Sequence, residues 1–212
     1  EGEGGLLEAP ELPRYIIDTT TGTPDETMAL AERLAGRGVG FLDATISGSS
    51  QQIRDRDALF MVGGNEKTVV ACADLLDAVS NKMIHVGPPG SGSKAKLASN
   101  LILGLNRLVL AEGLVFAEKL GLDLPSFLSL LKQSPAYSVA MDVKGEKMLN
   151  GDFTPQARVS QHHKDLQIIL DCAKAVGQDL PLSRIHHDIL DELIASGDGN
   201  LDCSAVIKAL RK

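Results

Sequence analysis

Gly87-Pro88-Pro89-Gly90-Ser91-Gly92-Ser93-Lys94-Ala95-Lys96-Leu97-Ala98-Ser99-Asn100 divides the chain into two halves of different character. Before it, short runs of β-formers alternate with helical stretches. Arg14 to Asp18, Val39 to Asp43, Ala58 to Val62 and Lys82 to Val86 read as strands. Thr19 to Pro24 is a turn that can cap a helix, with Pro24 suited to its first turn, and the helix from about Asp25 to Ala35 stops at Gly36 and Gly38. Gly63-Gly64-Asn65 turns into another helix through about Val79. Strands separated by helical stretches of about a dozen residues predict βαβ units and a mostly parallel sheet.

After Gly92 no strand candidate survives. Leu97, Leu101, Leu105, Leu108 and Val115 recur at helical spacing, predicting one helix from Ser93 to Leu120, longer than the globular average. Further helices are expected over Pro125–Gln133, Val139–Leu149, Gln161–Val176, Leu182–Ser196 and Ser204–Leu210, the last with Asp202 as cap. The chain reads as an α/β half, residues 1–92, joined at a Gly/Pro hinge to an all-helical half, residues 93–212.

Composition narrows the function. The 212 residues are 43% hydrophobic and 23% charged with a net charge of −7, enough for a real core in one or two domains. Five Phe, two Tyr and no Trp offer few base-stacking platforms, and the acidic balance argues against a nucleic-acid partner. Three cysteines cannot pair evenly, which fits a reduced, cytoplasmic protein. No apolar run approaches the roughly 20 residues that span a bilayer, and Glu1-Gly2-Glu3-Gly4-Gly5 carries no signal pattern, so no membrane partner is expected.

Three turns carry candidate chemistry. Lys96 and Asn100 lie four residues apart, on one helical face just after the glycine-rich loop, where a lysine and an amide can converge on one point. The helix macrodipole disfavours a lysine charge in a first turn, which suits a base. Ser47-Gly48-Ser49-Ser50, after a strand, offers N–H groups and hydroxyls for a small anion such as a carboxylate. Thr19-Thr20-Thr21 follows another strand. Taken singly, each reads more readily as a solvated or conformational feature. His162-His163 and His186-His187 suggest a metal, but neighbours on a helix point about 100° apart, so neither pair chelates alone. With no Cys or carboxylate seen at zinc-like spacing, no metal site is expected.

Together the turns are more specific. Asp18-x-Thr20-Thr21-x-x-Pro24, Phe41-Leu42-Asp43-Ala44-x-x-Ser47-Gly48, Met61-Val62-Gly63-Gly64, Gly87-x-x-Gly90-x-Gly92-x-x-x-Lys96-x-x-x-Asn100 and Lys164-Asp165-Leu166 occur in that order. Over nearly the whole chain, through Gly197-Asp198-x-x-x-Asp202-x-Ser204, this resembles the β-hydroxyacid dehydrogenase family of 3-hydroxyisobutyrate, tartronate semialdehyde and 6-phosphogluconate enzymes.

The resemblance implies a partial Rossmann-type NAD(P)-binding domain followed by an all-α domain, and an NAD- or NADP-dependent oxidoreductase acting on a small 3-hydroxy carboxylic acid. It implies Lys96 as the catalytic lysine that takes or gives the hydroxyl proton. Ser47, Gly48 and Ser49 match the loop for the substrate carboxylate, with Ser49 in place of a usual glycine. Asn100 matches the substrate-binding amide and Asp165 its charged neighbour; Thr21 and Lys164 match residues near the nicotinamide. It also implies subunit pairing through the long helix, as a homodimer or homotetramer. The family opens with a G-x-G-x-x-G turn that nothing here matches, and the chain lacks an initiating Met. It is therefore expected to be N-terminally truncated by about 80 to 100 residues and inactive as such. The alternative is a non-catalytic binding or dimerisation module that keeps the fold.

Overall fold

The computed structural model describes residues 5–211, so the Glu1-to-Gly4 start lies outside the described residues. The chain forms two compact units, one ending at Ala98 and the other beginning at Ser99.

In the first unit a 3-10 turn, Leu6–Glu8, precedes β1 (Tyr15–Asp18), α1 (Pro24–Ala35), β2 (Gly40–Ser47), α2 (Ser50–Arg54), β3 (Leu59–Gly64), α3 (Glu66–Ala71), α4 (Ala73–Val79) and β4 (Lys82–Gly87). Thr23 caps α1 by accepting from the Glu26 N–H, and Pro24 occupies the first helical turn, so the expected start signal is the one used. The sheet order is β1-β2-β3-β4. Both faces of β2 are covered: Phe41 packs with Ala31, Leu34 and Val39, while Leu42 and Ala44 pack with Phe60, Val62, Val69, Cys72 and Leu76. Burial on both faces explains why this strand reads as a nearly continuous apolar run.

Three details depart from the sequence reading. The β1–β2 and β3–β4 pairs are parallel but β2–β3 is antiparallel, so the sheet is mixed. The stretch between Ser47 and Leu59, holding only the short α2, is too brief for a crossover and returns the chain as a hairpin. β2 continues four residues past Asp43, so Ser47 ends a strand instead of sitting in a turn beyond it. The expected helix through Val79 is broken at Cys72, where the backbone leaves helical geometry at φ −103, ψ 2.

α5 (Ser91–Lys119) runs from the first unit into the second. It also corrects the expectation about membrane-length segments. An 18-residue window within it has mean hydropathy 1.5, so by length and composition it could cross a bilayer. Asn100, Asn106 and Arg107 interrupt the run without lowering its mean enough, which is why unbroken runs miss it.

The second unit adds α6 (Leu124–Lys132), α7 (Val139–Asn150), α8 (Val159–Ala175), α9 (Pro181–Ala195), 3-10 turns at Asp198–Asn200 and Cys203–Ala205, and α10 (Val206–Leu210). Leu114, Leu128, Met148, Val159, Leu166, Leu190, Val206 and Ile207 are its largest fully buried apolar side chains. Asp202 does cap the turn that leads to α10, accepting from the Ser204 N–H. It also meets Lys144 of α7 in a buried ion pair, Nζ lying 2.8 and 2.9 Å from its two oxygens.

Candidate active site

The glycine-rich loop is held by a residue from the middle of the sheet. Asp43, 1% exposed, accepts from the Gly90 N–H at 2.9 Å and from the Ser93 N–H at 2.8 Å. Thr45 donates to Gly92 O at 2.9 Å, and the hydroxyls of Thr27 and Ser93 lie 3.2 Å apart. The start of α5 is thus closed by a carboxylate on its own amides, which is where an anion is most favourable. The Gly90, Ser91, Ser93 and Lys94 amides all donate within the protein, which makes the loop a structural joint. A side chain at Gly92 would fall on Asp43 O and come within 2.6 Å of Met61 O, which explains the glycine.

This joint aims Lys96. The lysine sits in the second turn of α5, beyond the first turn where the macrodipole is felt, and the Asp43 carboxylate opposes the dipole there. The macrodipole argument from sequence therefore loses its force. What the structure supplies instead is position: Lys96 Nζ donates to Ile46 O at 2.6 Å, holding the half-buried amine against the end of β2, next to Ser47 and Gly48.

The Ser47-Gly48-Ser49 loop divides into two parts. Ser49 is the N-cap of α2, its hydroxyl accepting from the Gln52 N–H at 3.2 Å while its own N–H donates to Gln52 Oε1 at 2.9 Å. The Ser49 N–H is engaged within the loop, while its hydroxyl accepts there and keeps its own hydrogen. Gln52, unremarked in the sequence, is the cause; the S-x-x-Q capping box was legible there.

Thr21 lies in the loop beyond the carboxyl end of β1, where Asp18 Oδ1 accepts from the Thr20 N–H at 2.9 Å. A Cβ added at the neighbouring Gly22 would meet nothing within 4 Å, so the loop has room over the strand end, the position at which α/β sheets receive nucleotides. The loop leaves this strand end open to a ligand.

In the second unit, Asn100 is 6% exposed and its Nδ2 donates to Asp165 Oδ2 at 3.0 Å. Asp165 thereby fixes which way the amide faces. Lys164, beside it on α8, is exposed. Lys96 and Asn100 share one face of α5, one turn apart, as the spacing predicts.

The histidines behave differently from expectation. Each adjacent pair does diverge, but the two pairs interleave across α8 and α9: His162 lies 5.1 Å from His186 and His163 4.3 Å from His187, between ring centroids. Asp191, one turn after His187, joins the second couple, so a carboxylate does stand at ligand spacing. The His187–Asp191 spacing lies along one helix; His163, from α8, is what only packing brings to it.

Comparison with known proteins covers the whole chain. Residues 1–87 match the family profile described as the NAD binding domain of 6-phosphogluconate dehydrogenase, and residues 90–210 match the one described as the NAD-binding of NADP-dependent 3-hydroxyisobutyrate dehydrogenase. The chain is 33% identical to 2-(hydroxymethyl)glutarate dehydrogenase of Eubacterium barkeri, over 98% of this chain and 69% of that protein. It is 32% identical to 2-hydroxy-3-oxopropionate reductase of Escherichia coli K12, over 99% and 72%. Among solved structures, Mycobacterium tuberculosis 3-hydroxyisobutyrate dehydrogenase with L-serine is similar at TM-score 0.86 and 30% identity, over 93% of this chain and 70% of that one.

Proposed function

The chain belongs to the β-hydroxyacid dehydrogenase family, and from that premise we propose that it interconverts a small 3-hydroxy carboxylic acid and its semialdehyde or keto acid with NAD or NADP. The observation that carries the reading is Lys96, whose amine is held by Ile46 O at 2.6 Å beside the Ser47–Gly48 strand end. Lys96 acts as the acid–base group, taking the hydroxyl proton in oxidation and returning it in reduction. The nicotinamide, when bound, accepts or supplies the hydride. Ser47 and the Gly48 N–H receive the substrate carboxylate, with Ser49 serving the loop's conformation. Asn100, turned by Asp165, supplies an amide to the substrate, and Thr21 and Lys164 hold the nicotinamide end of the cofactor.

An apolar stripe on α5 supports self-association. Ile102, Val109 and Phe116, spaced seven apart, are 59%, 64% and 64% exposed, an arrangement that a second copy of the helix would cover. The partner in this reading is another subunit, in a dimer or tetramer. Three cysteines that form no disulfide, Cys72 and Cys203 buried among them, support a reducing cytoplasmic setting.

The test uses protein expressed from its complete reading frame, assayed for oxidation of 3-hydroxy acids by following reduced nicotinamide. Lys96→Ala is expected to lower kcat by about 10²- to 10⁴-fold while cofactor binding by fluorescence titration is retained. Wild-type turnover in Lys96→Ala would overturn the assignment.

A further inference from the structure

From the cluster that α8 and α9 build outside the catalytic residues, we propose a divalent transition-metal site for Zn²⁺ formed by His163, His187 and Asp191. One ligand atom from each of the three lies within 4.8 Å of the other two. His163 Nε2 is 2.8 Å from Asp191 Oδ1, and His187 Nδ1 is 3.1 Å from Asp191 Oδ2. Zinc–nitrogen and zinc–oxygen bonds of about 2.0 to 2.1 Å at tetrahedral angles place neighbouring ligand atoms about 3.3 Å apart. The two histidine–carboxylate separations need to open by only a few tenths of an ångström, and the His163 and His187 ligand atoms lie within 4.8 Å of each other.

The apo arrangement leaves donor capacity unused. His163 Nε2, although close to the carboxylate, is buried with no hydrogen-bond partner among the described residues, so Asp191 lies beside the ring nitrogen and off its bonding axis. A buried imidazole nitrogen in that position costs free energy unless something binds it. A modest rotation of the ring turns its lone pair toward the space between His187 and Asp191. The chemical set, two imidazoles and one carboxylate, suits Zn²⁺ over the hard cations, which prefer oxygen alone.

The placement suggests a structural clip. His187 and Asp191 lie one turn apart on α9, and His163 comes from α8, so the ion cross-links the two helices. Asp191 has a side chain 55% exposed, which leaves the outward face open for water as the fourth ligand. His163 immediately precedes Lys164 and Asp165, so the clip fixes the stretch of α8 that carries them.

The experiment takes untagged full-reading-frame protein stripped with a chelator and titrates it calorimetrically with ZnCl₂ in a non-coordinating buffer, alongside thermal unfolding. One equivalent is expected to bind with micromolar or tighter affinity and to raise Tm. His163→Gln, His187→Gln and Asp191→Asn are each expected to weaken binding by at least about tenfold, whereas His85→Gln leaves it unchanged. Asp191→Asn changes a half-exposed side chain, so it keeps the test valid if a histidine variant folds poorly. No saturable equivalent, or undiminished binding in folded Asp191→Asn and His163→Gln proteins, would overturn the proposal.

Discussion

Asp202→Asn tests how the helical unit closes. The wild-type carboxylate is fully buried and receives Lys144 Nζ on both oxygens, the Gln156 and Ala157 N–H groups on Oδ2 at 2.9 and 3.2 Å, and the Ser204 N–H on Oδ1. An asparagine keeps one acceptor oxygen and turns an NH₂ toward donors on the other side. It also leaves Lys144, itself 4% exposed, as a buried charge without a counter-ion. Removing one member of such a pair costs about 3–5 kcal/mol, a large share of the 5–15 kcal/mol that holds a typical domain together. Urea unfolding followed by far-UV circular dichroism at pH 7 reads this directly. Acid adds a second, signed signature. Burial raises the Asp202 carboxyl, but the Lys144 ammonium and the three backbone N–H groups outweigh it and hold the group far below the ordinary carboxylate range. Its contribution is therefore complete above the unfolded value of about 3.9 and is lost as pH falls through and below it. At pH 3 the unfolded carboxyl is largely protonated and the folded one is not, so the wild-type advantage shrinks by about 1 kcal/mol. A deficit under 1 kcal/mol at pH 7, or one identical at pH 7 and pH 3, would refute this reasoning. Replacing both partners, Lys144→Met with Asp202→Leu, is expected to recover most of the loss.

Gly92→Ala places a methyl against two main-chain oxygens that cannot yield, so the variant is expected to fail to fold or to lose more than about 3 kcal/mol in urea. Gly104→Ala points its methyl at His162 Nε2, with His186 Cε1 3.0 Å away. It should cost about 1–3 kcal/mol and several degrees of Tm, and an unchanged Tm would show that the buried rings yield freely. Gln52→Ala removes the capping box that fixes the Ser49 end of the loop, so KM for the hydroxy acid is expected to rise several-fold with kcat little changed. An unchanged KM in steady-state assays would show that carboxylate binding at Ser47 and Gly48 does not depend on the loop's conformation.

What could be read from the sequence was whatever is encoded within a few residues. Thr23 and Pro24 announce α1, the Lys96–Asn100 spacing announces a shared helical face, and Asp202 before Ser204 announces a cap, because each signal acts through the backbone one turn away. The strand reversal at β2–β3 was hidden for the opposite reason. Strand periodicity is the same in parallel and antiparallel sheets, and only the shortness of the α2 connection carries the direction.

The site shows the same division more sharply. The glycine-rich turn marks a helix start in the sequence, yet the group that closes that start is Asp43, nearly fifty residues earlier. Ser49 reads as an anion donor until Gln52 is seen to take its N–H. The histidine pairs read as incapable of chelation until α8 and α9 pack and bring His163 to His187 and Asp191. At each of these places the sequence leaves the partner open. Partnership across elements is set by packing, whose burial and alignment decide which donor an oxygen meets. The chemistry of Lys96 depends on it as well: its amine faces the Ser47 strand end because Asp43 and Thr45 fix the start of α5, not because of its position along the helix dipole.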